Sequence, residues 1–240
     1  MCTRRRLELA ALAAGLLAVV LALPAAAFDL QGHRGARGLA PENTLAAFER
    51  ALAIGVHTLE LDVGITVDGI PVIVHDIALN PAVTRDAQGR WITSPPLVRS
   101  LTLEELQRFD VGRLDPASSY ARPFAGQAPS DGERIPTLAA LFDRVQALGA
   151  DDVRFNIETK IDPRRPSDTA DPDTFVRAIL DAVRAAGVLS RVTLQSFDWR
   201  TLQAARRVEP GLATACLTTQ GGNADVRDAA GTWTAGLRLA

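Results

Sequence analysis

From Phe28 onward the chain alternates between two hydrophobic periods. Short runs with period two, or continuous β-branched and aliphatic runs, cover Leu30–His33, Thr58–Thr66, Ile70–His75, Val153–Ile161, Val192–Gln195 and Ala213–Leu217. These predict about six strands. Between them the period lengthens to that of a helix. Thr44–Ala53 places apolar residues at 45, 48 and 52, with Asn43 or Thr44 as its cap, and Leu138–Leu148 ends at Gly149. Pro172–Ala186 ends at Gly187, and Asp198 caps a helix running to Val208. Strand–helix alternation of this kind implies parallel pairing through right-handed crossovers, hence an α/β fold. Two stretches break the pattern. Residues 77 to 136 are rich in Pro, Gly, Ser and Arg, with one short helix near Leu103–Phe109, and read as an insertion or lid. Thr218–Ala240 is glycine-rich and ends without a further regular element.

The N-terminus has a different grammar. Arg4, Arg5 and Arg6 precede an apolar run from Leu7 to Leu23, and Ala25-Ala26-Ala27 offers a cleavage site before Phe28. Residues 1–27 are therefore expected to be an export signal. Glu8 and Pro24 interrupt and end the run, which disfavours a retained span. The arginines loosely resemble a twin-arginine signal, so the export route stays open. The expected destination is the periplasm or the exterior, with residues 28–240 forming one domain. Hydrophobic residues at 47% and charged residues at 22% exclude a disordered chain or a coiled coil. A net charge of −2 carries no electrostatic footprint for nucleic acid. Two cysteines exclude a disulfide framework and a cysteine zinc site. Cys2 lies in the signal, and Cys216 is expected to pack in a core strand.

The chemistry concentrates on two strands. In Leu59-Glu60-Leu61-Asp62-Val63, period two puts Glu60 and Asp62 on one face and three aliphatic residues on the other. Two carboxylates about 5 Å apart repel by roughly 3 kcal/mol at an effective dielectric of 20. Desolvation adds to this, so a cation must offset it. Phe155-Asn156-Ile157-Glu158-Thr159-Lys160 repeats the pattern and presents Asn156, Glu158 and Lys160 together. Lys160 is the sole lysine among 26 basic side chains. If both strands belong to one parallel sheet, three carboxylates converge at its C-terminal edge. An oxygen-only donor set suits Mg²⁺ or Ca²⁺ better than zinc.

Of the three histidines, His33 and His75 end strands, whereas His57 precedes one and is expected to be structural. Two imidazoles beside a carboxylate cluster suit general acid and base work near neutral pH. Arg34 follows His33 among glycines and has the side chain for bidentate phosphate binding. Gln195, at a strand end, is a further polar contact. Taken singly, each of these also has a plain reading, as a solvated strand edge, a hydrogen-bonded histidine or a loop arginine. Together they form a constellation.

His33-Arg34-Gly35, Pro41-Glu42-Asn43-Thr44, Glu60-Leu61-Asp62-Val63, Thr66-Val67-Asp68-Gly69 with Pro71 to Asp76, and Asn156-Ile157-Glu158-Thr159-Lys160 occur in this order. Together they resemble the glycerophosphodiester phosphodiesterase family, over about Phe28 to Leu217. The resemblance implies a TIM-type (β/α)₈ barrel with a small insertion after the third strand, here about 77–136. It implies one divalent cation, Ca²⁺ or Mg²⁺, on Glu60, Asp62 and Glu158. It also implies His33 and His75 as acid and base, Arg34 and Lys160 on the phosphate, and Glu42 near the substrate. The implied reaction is hydrolysis of a small-molecule glycerophosphodiester to glycerol 3-phosphate and an alcohol. A phospholipase D-like or lysophospholipase activity on the same scaffold is the alternative, and an inactive fragment or binding protein is another. The family pattern calls for two further strands after Leu217. The expectation is therefore an incomplete barrel, about six of eight βα units, with unpaired edges and an uncovered apolar interior.

Overall fold

The computed structural model describes residues 28–220 and 230–237. The expected signal, residues 1–27, lies outside the described residues, as does most of the C-terminal stretch. Among the described residues no helix is long and apolar enough to cross a membrane.

The strands are β1 (Gln31–His33), β2 (Thr58–Ile65), β3 (Pro71–Ile73), β4 (Arg154–Thr159), β5 (Val192–Ser196) and β6 (Ala213–Cys216). The α-helices are α1 (Leu45–Ile54), α2 (Leu103–Leu106), α3 (Leu138–Ala147), α4 (Pro172–Ala185) and α5 (Trp199–Val208). Strands β1, β2, β4, β5 and β6 run side by side in that order, all parallel. β3 is different. It pairs antiparallel with β2, Val63 opposite Ile73, and the 66–69 turn joins the two as a hairpin. The third strand is thus a side branch, and β2 meets β4 directly. It also stops at Ile73, so His75 sits in the loop beyond it.

Local chemistry explains the helices. Thr44, not Asn43, caps α1, accepting from the Ala47 N–H at 3.2 Å, and the helix ends at Gly55 with φ +89°. Asp171 caps α4, with Pro172 in the first turn. Leu59, Leu61 and Val63 of β2, Phe155 and Ile157 of β4, and Val192 and Leu194 of β5 face the helices. There they pack with Phe48, Leu141, Phe175, Ile179 and Leu202 in one buried core. The opposite face carries Gln31, His33, Glu60, Asp62, Asn156, Glu158, Thr193 and Gln195. The inner face of β2, β4 and β5 is therefore polar, contrary to the expected apolar interior, because period two sends the aliphatics of these strands outward to the helices.

Hydrogen bonds do not close the sheet among the described residues: β1 and β6 each have a strand partner on one side only. Cys216 lies on the outermost strand and is exposed, which corrects the core placement expected for it. Residues 77 to 136 carry no named strand and gather around a separate small cluster of Leu79, Val98, Leu106, Val111 and Ile135, joined by Val72 of β3. Residues 230–237 form a compact turn in which Trp233 and Thr234 are buried. The Trp233 carbonyl accepts from the Trp199 N–H at 2.9 Å, at the start of α5. The C-terminal stretch thus supplies an ordered piece that its composition did not announce.

Candidate functional site

The register of β2 against β4 sets Asp62 directly opposite Glu158, and Glu60 opposite Asn156. One oxygen from each of Glu60, Asp62 and Glu158 lies within 4.8 Å of the others, and all three side chains are buried. Burial, reinforced by the neighbouring Asp62 charge, pushes the Glu60 carboxyl up to about 8. Burial also raises Glu158, against the opposing pull of Lys160. Asp62 goes the other way. Despite the penalty of burial, Lys160, His75 and Arg34 hold it below the usual carboxylate range. The Lys160 ammonium sits 2.7 Å from Glu158 Oε1 and 3.5 Å from Asp62 Oδ1. The sequence placed Lys160 on the phosphate; the structure pairs it with two members of the acidic cluster.

Other groups fix these carboxylates. The Arg34 N–H donates to Glu60 Oε2 at 2.8 Å, and Gln195 Nε2 donates to Glu60 Oε1 at 3.0 Å. Gln195 in turn accepts from Asn156 Nδ2 at 3.0 Å, so both ends of its amide are committed to protein partners. Asn43 Nδ2 donates to Asp62 Oδ2 at 2.9 Å, while its own Oδ1 is buried without a hydrogen bond. Asn43 adopts φ 57°, a left-handed conformation that aims the amide at the cluster rather than at the helix terminus. A divalent cation fits this donor set: three carboxylates, oxygen only, one of them too strained to ionise fully without further positive charge.

The two histidines flank the cluster unequally. His33 Nε2 lies 3.9 Å from Glu60 Oε2, and its side chain is 58% exposed. Partial desolvation of the ring, with Arg34 and Arg37 nearby, lowers its pKa. His75 is held by a relay: its Nδ1 lies 2.8 Å from Asp76 Oδ1, and Asn80 Nδ2 donates to Asp76 Oδ2 at 2.9 Å. Nδ1 is thereby the protonated nitrogen, and Nε2 is the one left for chemistry. His57 sits at the opposite rim, where its Nδ1 accepts from the Leu30 N–H at 3.0 Å.

Gly35 turns the chain after β1. Its φ is +75°, and a Cβ there would meet the Ala47 carbonyl carbon at 2.6 Å, so only glycine lets the His33–Arg34 loop lie flat on α1. Arg34 is buried, and its Nε lies 3.2 Å from Asp62 Oδ2. Glu42 binds Arg34 and Arg37, at 2.9 and 3.0 Å.

Two open cavities meet at His75, Glu158, Lys160 and Phe197. One, of about 490 Å³, is lined also by Gln31, His33, Arg34, Asn156 and Gln195. The other, of about 480 Å³, extends past Ile161 and Arg165 to Phe197 and Trp233. All nine residues singled out from sequence thus gather at one end of the sheet. Sequence reasoning missed Asn43, Asp76, Tyr120 and Trp233 as site residues. Asn43 and Asp76 stood inside quoted motifs and carried a signal; Tyr120 and Trp233 lie in stretches with no periodicity to place them.

Comparison with known proteins gives the family and the fold. Residues 33–237 match the model of the glycerophosphoryl diester phosphodiesterase family. A glycerophosphodiester phosphodiesterase of Caldanaerobacter subterraneus is 32% identical over 180 residues, covering 75% of this chain and 62% of the relative. The chain spans under two thirds of the length of three curated relatives it matches, 62% to 65%. A solved structure from Silicibacter pomeroyi, assigned by name to the same enzymes, superposes with a TM-score of 0.74 at 41% identity. It covers 78% of this chain and 63% of the other. An Oleispira antarctica phosphodiesterase, solved with the product sn-glycerol-3-phosphate, shares the fold with a TM-score of 0.58 at 24% identity. It covers 81% of this chain and 68% of the other. These neighbours are TIM-type barrels, and the parallel sheet described above is an unclosed arc of that architecture.

Proposed function

This chain belongs to the glycerophosphoryl diester phosphodiesterase family, and from that premise we propose that it hydrolyses glycerophosphodiesters to glycerol 3-phosphate and an alcohol. The observation that carries the reading is the convergence of Glu60, Asp62 and Glu158, from two distant strands, between two histidines. The family is metal-dependent, and these three carboxylates are the residues to hold a single Ca²⁺ or Mg²⁺. Such a cation, when bound, stabilises negative charge on the phosphate oxygens.

The remaining work falls to the chain's own side chains. Arg34 and Lys160 draw the phosphate toward the cluster. His33, whose pKa partial desolvation and the neighbouring Arg34 and Arg37 lower, takes a proton from the attacking water as the water oxygen bonds to phosphorus. His75, oriented by the Asp76 carboxylate at Nδ1, gives a proton from Nε2 to the leaving oxygen as its bond to phosphorus breaks. The cavity running from His75 to Trp233 then receives the alcohol. Gln195 and Glu42 act behind these groups, Gln195 on Glu60 and Glu42 on Arg34.

Release of glycerol 3-phosphate from glycerophosphocholine, with and without a chelator, tests the reading. His33→Ala and His75→Ala should each lower kcat by at least ~10²-fold with the fold intact. Turnover that survives the chelator, or either substitution, overturns the corresponding assignment. Lysophosphatidylcholine assayed in parallel separates this reading from the lipid alternative. The arginine-led apolar N-terminus further supports an exported protein. N-terminal sequencing of the mature chain, with Phe28 first, tests that placement.

A further inference from the structure

From the segment 77 to 136, one hydroxyl reaches the Arg34–Glu42 pair. Arg34 lies between two carboxylates that compete for it. Glu42 holds Nη1, and Asp62 Oδ2 stands 3.2 Å from Nε. If Asp62 prevailed, the guanidinium would neutralise a carboxylate needed for the cation and turn away from the phosphate. Tyr120 tips this balance. Its hydroxyl lies 2.8 Å from both Glu42 oxygens and accepts from Arg34 Nη1 at 3.0 Å and from Arg37 Nη2 at 2.8 Å. One bond donated and two accepted is the full capacity of a phenol. Arg34 Nη2 makes no hydrogen bond among the described residues, which leaves it for a phosphate oxygen.

The ring is anchored independently of the hydroxyl. Arg37 stacks on Phe124 at 4.5 Å, Gln127 Nε2 donates to the Arg37 carbonyl at 2.6 Å, and the Ala128 N–H donates to the Leu39 carbonyl at 3.0 Å. The 119–128 stretch therefore docks on the 34–42 loop whether or not the hydroxyl is present. We propose that Tyr120 is a positioning residue: together with Glu42 it holds the Arg34 guanidinium off Asp62 and presents its free edge to the phosphate. The phosphate half of this proposal rests on the hydrolase reading above.

Tyr120→Phe isolates the hydroxyl and keeps the packing. Isotope-labelled arginine side-chain NMR, with Arg34→Lys to assign the signals, reads the guanidinium directly. In the wild type the Arg34 Nη1 protons should be resolved and slowly exchanging, and in Tyr120→Phe they should collapse. Calorimetric affinity for glycerol 3-phosphate in the presence of Ca²⁺ should weaken roughly three- to tenfold, and KM should rise by a similar factor with kcat nearly unchanged. Unchanged Arg34 signals and unchanged affinity in Tyr120→Phe overturn the proposal. If the wild type binds no glycerol 3-phosphate, the hydrolase reading falls. The NMR comparison alone then decides Tyr120: collapse of the signals supports the positioning role, and retention removes it.

Discussion

The C-terminal edge of the sheet and the segment from 77 to 136 serve the same site by opposite means. The sheet edge is regular. Strand periodicity and one register fix Glu60, Asp62 and Glu158 within 4.8 Å, on rigid backbone covered by helices. The segment is irregular, built on a small cluster of its own, and sends single side chains inward: Asn80 to Asp76, and Tyr120 to Glu42 and Arg34. The difference separates the tasks. Groups that meet substrate or cation stand on or beside strands, where displacement is least, and groups that orient them come from loops. The two regions should therefore fail differently when broken.

The largest effect belongs to the sheet edge. Asp62→Asn removes the one cluster carboxylate held ionised by its neighbours, and turnover should fall at least ~10²-fold. The fold should survive at some cost in stability, because Asn keeps the shape of the side chain but no longer balances the Lys160 and Arg34 charges. A calorimetric titration showing unaltered Ca²⁺ or Mg²⁺ binding in this variant would contradict the assignment of Asp62 as a ligand. The next effect tests a loop residue. Asp76→Asn keeps the size of the side chain but loses the charge that supports His75, and kcat should fall roughly ten- to a hundredfold with KM little changed. A loss confined to KM would place Asp76 on substrate instead.

Much of this was readable in advance. Leu59-Glu60-Leu61-Asp62-Val63 and Phe155 to Lys160 declared their faces by alternation alone, and α1, α3, α4, α5, β5 and β6 lie within a few residues of their expected ends. Other features had no such signal. That Ile70–His75 would shorten to Pro71–Ile73 and turn back on β2 depends on a backbone pairing that apolar composition does not reveal. Cys216 was misplaced because a strand's sequence does not say whether it lies at a sheet's edge. Tyr120 and Trp233 reach the site only by long-range docking of aperiodic segments, and no local pattern encodes that.

A smaller effect follows from charge. Without a cation, Glu60 has a folded pKa of about 8 against an ordinary value near 4.5. A group raised in this way contributes stability that is present at low pH and is lost as pH rises through the folded value. The metal-free protein should therefore lose several degrees of Tm between about pH 5 and pH 8, since 1 kcal/mol is worth roughly 2–4 °C in a chain of this size. Saturating Ca²⁺ should remove that slope, and Glu60→Gln should flatten it without metal. Asp62 and Asp76 shift downward and so act only at acid pH, outside this window. A Tm independent of pH across the window in the metal-free wild type would mean that Glu60 ionises freely.

The smallest effect on chemistry should come from within the irregular segment. Leu106 is fully buried among Val98, Val111 and Ile135, so Leu106→Ala should cost about 2–5 kcal/mol of local packing. Its cluster is separate from the one that holds β2 and β4. Hydrogen exchange should accordingly quicken across 77–136 while the amides of β2 and β4 stay protected. Turnover should change less than in any variant above, and the loss should appear as weaker phosphate affinity, because the hydroxyl of Tyr120 is what the loosened segment carries to Arg34. Leu141→Ala, an equal truncation in the main core, should instead quicken exchange in β2 and β4. If Leu106→Ala exposes the strands as well, the two regions fold as one unit, and the contrast between a rigid edge and a detachable support fails.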